Sequence, residues 1–140
     1  MVHVRLEDVA PEGKYSNHHC QQYIGDQRLQ MLIEYLHRRF PTHDIHLVTS
    51  PLTRDINRCK RITKDYAYVK GIWGDKSEDY ALWQMMCCDI LVFSRSTFCM
   101  LAGLMHQGQQ CYIYEDFGLF RALNGTGDYA TWGILDVPEL

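Results

Sequence analysis

A basic excess, long apolar runs and paired cysteine motifs are all missing from this 140-residue chain. Fourteen Lys and Arg stand against seventeen Asp and Glu, giving a formal net charge of -3 and a pI near 6.1. General nucleic-acid binders carry surplus positive charge to neutralise phosphates, so the balance argues against that class. No stretch approaches the roughly 20 apolar residues of a membrane-spanning helix. The least charged part, after Arg95, is interrupted by Gln107, Gly108, Gln109 and Gln110. The opening Met1 to Glu7 lacks the apolar centre of a secretory signal, so none is expected. Of Cys20, Cys59, Cys87, Cys88, Cys99 and Cys111, no two form a Cys-x-x-Cys pair. Most lie in apolar runs, where a free thiol packs as a small hydrophobe. Reduced, buried cysteines and a cytoplasmic location are the expectation. His18-His19-Cys20 offers ligating atoms, but no second ligand pair stands at zinc-like spacing, so no metal site is predicted. Repeats, low-complexity tracts and internal linkers are absent as well.

What is present is an ordinary globular composition, 46% apolar and 22% charged. A chain of this length forms one domain and buries roughly 68% of its unfolded surface. Apolar runs alternate with helical periodicity. Val2 to Leu6 reads as a first strand, and the polar stretch from Pro11 to Gly25 as a long loop. Asp26 caps a helix to about Phe40, with Leu29, Leu32, Ile33, Leu36 and Phe40 on one face, and Pro41 ends it. Ile45 to Thr49 is a second strand. Arg54 to Ile62 is a short helix turning Ile56 and Cys59 inward. Tyr66 to Val69 is a weaker third strand, followed by punctuation at Gly71 and Gly74. Ser77 caps a helix to about Cys88 through Leu82, Met85 and Met86. Ile90 to Phe93 is continuously apolar, as a buried parallel strand requires. A helix from about Thr97 to His106 is closed by Gly108 as C-cap, and Cys111 to Tyr114 forms a fifth strand. The Gly-rich tail after Asp116 carries Phe117, Phe120 and Trp132 without clear periodicity. Regular βα alternation predicts an α/β fold, a Rossmann-like three-layer sandwich with a parallel sheet of about five strands.

Two strand ends in this pattern carry chemistry. His3-Val4-Arg5-Leu6-Glu7-Asp8 lies on and after the first strand, where alternate residues share a face, so His3 and Arg5 point the same way. Ser94-Arg95-Ser96-Thr97-Phe98 follows the fourth strand and opens a helix. Such a turn offers hydroxyls, backbone N–H groups and the positive end of a helix dipole to an anion. Open α/β sheets bind ligands at the carboxyl ends of their strands. The pair therefore predicts a site for a diphosphate-bearing, nucleotide-like ligand.

These residues resemble the nucleotide-sugar-binding domain of the α1,2/α1,6-fucosyltransferase superfamily, whose members have the two-domain GT-B fold. The superfamily's His-x-Arg-x-x-Asp motif stands here as His3-x-Arg5-x-x-Asp8. Its Ala/Cys-Asp strand, Ser-Ser-Phe-like turn and small-residue helix are matched by Cys88-Asp89, then Ser96-Thr97-Phe98, then Ala102-Gly103-Leu104. The likeness covers roughly residues 2 to 115. It implies that Arg5 binds the donor diphosphate through its planar guanidinium, with Ser96 and Thr97 completing the cradle. It also implies that His3 lies near the nucleobase and that Asp8 orients Arg5 or closes the loop. Arg95 replaces a small or polar residue and adds a phosphate contact. Asp79 or Glu78 stands for the acidic residue that reads guanine, although the family spacing points nearer Ala81.

The implied activity is metal-independent, inverting transfer of a sugar from a nucleotide diphosphate donor, GDP-fucose foremost, to a glycan hydroxyl. Arg5 and the Ser96-Thr97 turn would stabilise charge on the leaving diphosphate. No Asp-x-Asp motif points to a divalent metal, and no cofactor is expected. A general base is not identified; Glu7, Asp8 and Glu115 qualify only by lying near strand ends. One Rossmann-like unit is half of a GT-B enzyme, so a homodimer or a partner acceptor domain is expected. The alternative is a non-catalytic nucleotide- or sugar-binding module; a flavodoxin-like regulatory domain explains the sheet but neither motif. Each residue also has a plainer reading: His3 as a hydrogen-bonded strand histidine, Arg5 as an ion-pair partner of Glu7 or Asp8, Ser96 and Thr97 as helix caps. Asp79 likewise reads as a first-turn dipole charge, and Tyr80 and Trp83 as core or groove packing. Asn124-Gly125-Thr126 matches a glycosylation acceptor, which carries little weight in a cytoplasmic chain.

Overall fold

A computed structural model of the chain describes residues 1–4, 24–74, 76–93, 96–113 and 132–134. Strands and helices alternate as β1 (Val2–His3), α1 (Asp26–Arg39), β2 (Ile45–Val48), α2 (Thr53–Thr63), β3 (Val69–Trp73) and α3 (Glu78–Cys87). They continue as β4 (Ile90–Phe93), α4 (Thr97–Leu104), β5 (Gln110–Ile113) and β6 (Trp132–Ile134). All six strands are parallel, in the order β3-β2-β1-β4-β5-β6. This is the doubly wound arrangement, in which the chain starts at the centre of the sheet, winds to one edge, returns and winds to the other.

Strand alternation divides the core in two. Val2, Leu47, Ile45, Ile90 and Val92 turn to one face and meet Leu29, Leu32, Ile33 and Leu36 of α1 and Cys59 and Ile62 of α2. Val48, Leu91 and Phe93 turn to the other and meet Met85 of α3 and Cys99 and Ala102 of α4. Reversal of the winding direction between β3 and β4 is what sends the second pair of helices to the opposite face, given crossovers of one hand. The result is the expected α/β Rossmann-like sandwich, with a sixth strand where the tail shows no periodicity.

Several boundaries differ from the sequence reading for local reasons. Gly25, not Asp26, is the N-cap of α1, its carbonyl accepting the Leu29 N–H at 3.0 Å. The Asp26 carboxylate instead reaches across to α2, where it pairs with Arg58 and, at 3.2 Å, with Arg61. In α2, Cys59 is buried as expected, but Asp55 is fully buried where Ile56 is only half-buried. Ser50 donates its hydroxyl proton to the Asp55 carboxylate, which gives the buried charge a partner.

The third strand runs Val69–Trp73 rather than Tyr66–Val69. Gly71 therefore sits inside it, opposite His46. A Cβ there would come within 2.7 Å of His46 Nδ1 and 2.8 Å of Trp73 Nε1, so the glycine marks a close approach and not a break. Helix α4 stops at Leu104 with Met105 as its C-cap. Gly108 is needed for another reason, since a Cβ on it would collide with the Cys88 carbonyl oxygen. Ser77 caps α3 as predicted, accepting the Tyr80 N–H at 3.3 Å. Tyr80 and Trp83 are not core residues, being 38% and 55% exposed, and of the core-or-groove reading it is the groove half that fits Tyr80, which stacks on the cleft-lining Trp73. Their rings follow Trp73 in sequence of contact, with centroids 5.8 Å and then 6.2 Å apart. No helix among the described residues is long and apolar enough to cross a membrane.

Candidate functional site

The winding reverses between β1 and β4, which pair directly with Val2 opposite Val92. Both leave the sheet at its carboxyl edge, and the crevice there is the usual ligand position of such sheets. A cavity of about 420 Å³ opens at this edge, within the range of small-molecule sites. His3 and Val4 come to it from β1, Val48 to Pro51 from the exit of β2, and Trp73, Gly74 and Lys76 from the exit of β3. Glu78 and Ala81 of α3 and Ser96 and Phe98 at the start of α4 complete the wall.

The floor is the His3 imidazole, only 7% exposed. Its Nδ1 lies 3.2 Å from Cys99 Sγ, and its ring packs beside Phe98 with centroids 6.3 Å apart. Cys99 is fully buried in the first turn of α4. Ser96 occupies the N-cap of that helix in an extended conformation, and its carbonyl accepts the Met100 N–H at 2.9 Å. Its side chain is buried at the cleft and makes no capping hydrogen bond. The first turn of α4, with its N–H groups and positive dipole end, thus stands at the same cleft as His3.

On the β3 side Trp73 is held in a fixed pose. Its indole Nε1–H donates to His46 Nδ1 at 3.1 Å. Burial lowers the His46 pKa below its ordinary value, which keeps the imidazole neutral and able to accept. Lys76 and Glu78 give this wall one cation and one carboxylate.

Of the residues singled out in the sequence, His3 and Ser96 meet at the cleft, with Glu78 and Ala81 facing them from α3. Asp79 is exposed in the first turn of α3, and Thr97 is exposed at the first position of α4; neither lines the cavity. Arg5, Asp8 and Arg95 lie outside the described residues, as do Glu7, Glu115, Cys20 and the His18-His19 pair. Among the described residues no group of three His, Cys, Asp or Glu is placed to hold a metal ion. The described cysteines are free thiols, with Cys59, Cys99 and Cys111 buried. Burial drives the Cys59 thiol up to about 11 and the Cys111 thiol up to about 12, so both stay protonated.

Thr49, Ser50, Trp73 and Lys76 also line the cleft, and nothing in the sequence reading singles them out. The signal is there all the same, since the rule applied to the ends of β1 and β4 applies equally to β2 and β3. No protein-family model matches the chain, and neither a curated protein nor a solved structure matches it.

Proposed function

We propose that this cleft is the donor site of a glycosyltransferase-type protein that binds a nucleoside diphosphate sugar, GDP-fucose foremost, and transfers the sugar to a glycan hydroxyl. One observation supports this reading above the rest. The strand ends bearing the two motifs, about 90 residues apart in the chain, are neighbours at the reversal of the sheet, and His3 and Ser96 line one cavity. In this reading the diphosphate rests against the start of α4, where helix N–H groups and the Ser96 hydroxyl complement its charge. Arg5, two residues beyond β1, adds the guanidinium fork, and Arg95 a second cation. Glu78 takes the role of the acidic base reader, because it faces the cleft where Asp79 does not. The reaction requires no metal in this scheme, the guanidinium and helix terminus supplying the positive charge.

A thermal-shift screen against nucleoside mono- and diphosphates, their sugars and the bare nucleosides tests it. Diphosphates should stabilise and nucleosides should do so weakly, because most of the contacts named are to phosphate. At 100 times the dissociation constant the gain is roughly 2.7 kcal/mol. A flat response to the whole panel at millimolar concentration removes the donor-site reading. A diphosphate response without sugar release or transfer would favour a binding module that performs no chemistry.

A further inference from the structure

Ser50 at the wall of the cleft and Asp55 behind it form a pair whose shared proton can be placed. Asp55 is fully buried in the first turn of α2, and its Oδ1 has no hydrogen-bond partner. Its other oxygen, Oδ2, accepts the Ser50 hydroxyl proton. Turning that proton elsewhere would leave a buried carboxylate with no hydrogen bond, which costs more than an ordinary hydrogen bond returns. A serine hydroxyl has one proton and two lone pairs. The proton is committed to Asp55, and the Leu52 N–H donates to one lone pair through a long bond of 3.4 Å. Ser50 is half-buried and lines the cleft at the exit of β2. What its hydroxyl has left to offer a ligand is a lone pair.

We infer that Ser50 is a specificity-determining residue, held by Asp55 as a hydrogen-bond acceptor, so that it binds a hydroxyl of the ligand and turns away an anionic oxygen. This rests on the reading of the cleft as the site of a nucleoside diphosphate sugar. A serine free to spin its proton serves phosphate as readily as hydroxyl, and Asp55 removes that choice. The carboxylate charge behind the hydroxyl also strengthens it as an acceptor and repels phosphate. The two sides of the cleft then differ in kind: the start of α4 suits the diphosphate, and the exit of β2 suits a hydroxyl-bearing ring. The donor has such hydroxyls on its ribose and on the sugar to be transferred, and either one meets the requirement. The scheme also accounts for a carboxylate turned fully inward on α2 beside a half-buried Ile56. Asp55 touches the ligand nowhere and acts through Ser50.

Two measurements test the pair, one with ligand and one without. Calorimetry compares GDP-fucose, GDP and 2′,3′-dideoxy-GDP on the wild type and on Ser50→Ala. Where ribose meets Ser50, the substitution should weaken GDP by about tenfold, the worth of one hydrogen bond, and leave the dideoxy analogue unchanged. Where the transferred sugar meets it, GDP-fucose should weaken to the same degree and GDP should not. Asp55→Asn, whose amide can donate to Ser50 as well as accept from it, should shrink the same discrimination with Ser50 still in place. Equal losses on all three ligands, or none, overturn the inference. Without ligand, urea unfolding of Ser50→Ala, Asp55→Asn and the double variant reports on the lock itself. Ser50→Ala strips the buried carboxylate of its donor and should lower the folding constant by about tenfold or more, whereas in the Asp55→Asn background the loss should largely vanish. Additive losses overturn the lock. Should Asp55→Asn fail to fold, the three ligands on Ser50→Ala decide. Should no nucleotide bind the wild type, the donor-site reading and the hydroxyl assignment fall together, while the unfolding cycle still decides whether Asp55 holds the Ser50 proton.

Discussion

Gly71 shows how far one methyl group can reach. Adding it brings carbon within 2.7 Å of His46 Nδ1 and 2.8 Å of Trp73 Nε1, the two atoms whose hydrogen bond sets the indole pose. We predict that Gly71→Ala costs about 1 to 3 kcal/mol in urea unfolding, as overpacking does, and alters tryptophan fluorescence. A loss below experimental error would mean that the pair relaxes freely. The same hydrogen bond ties stability to pH. Burial holds His46 below its usual 6.5, and burial pushes His106 the same way. The unfolded chain then takes up protons at a higher pH than the native fold does. Stability is therefore full above about pH 6.5 and falls as pH drops through that value toward the depressed native pKa. Urea midpoints at about pH 7.5 and 5.5 should show the loss, and His46→Asn, which keeps an acceptor for Trp73, should lessen it. At this scale the sequence is only partly legible. His3 and Ser96 stand out because hydrophobic runs end beside them. Cys99 reads as a small hydrophobe because nothing local reveals that an imidazole 96 residues away rests on its sulfur.

Elements announce themselves in sequence when one face is apolar and long enough to show a period. Helix α1 does so, and its four buried residues all belong to the periodic face. Strand β4 does so as well, its four residues all buried. Strand β3 misleads because glycine lies within it and because tyrosines at 66 and 68 precede it. Tyr66 is spoken for by Glu34, to which its hydroxyl donates at 2.7 Å. Strand β6 has three residues, too few for any alternation to register. Long-range polar ties are equally invisible. Asp26 has the residue type of a cap, yet its carboxylate joins α1 to Arg58 and Arg61 of α2. Asp26 is 41% and Arg61 69% exposed, so solvent screens that pair, whereas Arg58 is 14% exposed and its contact is screened less. Asp26→Asn should cost about 1 to 2 kcal/mol, more than a fully exposed pair because Arg58 loses a charged partner while mostly buried. The deficit should shrink in 1 M salt, where the screening length is about 3 Å. An equal deficit at low and high salt would assign the role of Asp26 to packing.

The described residues form one doubly wound sheet with the cleft at the carboxyl ends of its strands. If that cleft holds a sugar donor, transfer needs the acceptor hydroxyl held against it, and orientation of that kind is worth roughly 7 to 11 kcal/mol of barrier. Without an acceptor oriented in this way, the chain should release free sugar from its donor faster than it glycosylates an acceptor. Released against transferred sugar, measured at several protein concentrations, decides the matter; efficient transfer by a proven monomer would refute it. The order of the strands carries a kinetic implication. β1 to β3 pair consecutively, as do β4 to β6, and the seam between the two halves is the β1–β4 pair, with Val2 opposite Val92. Closing so distant a contact is entropically slow, so the halves should organise first and the seam last. A ligand seated across the seam can recognise only the closed state. If the proposed donor-site reading holds, GDP should slow unfolding while leaving the refolding rate almost untouched, a lopsided shift of the chevron that would make the nucleotide a clasp between two separately wound halves.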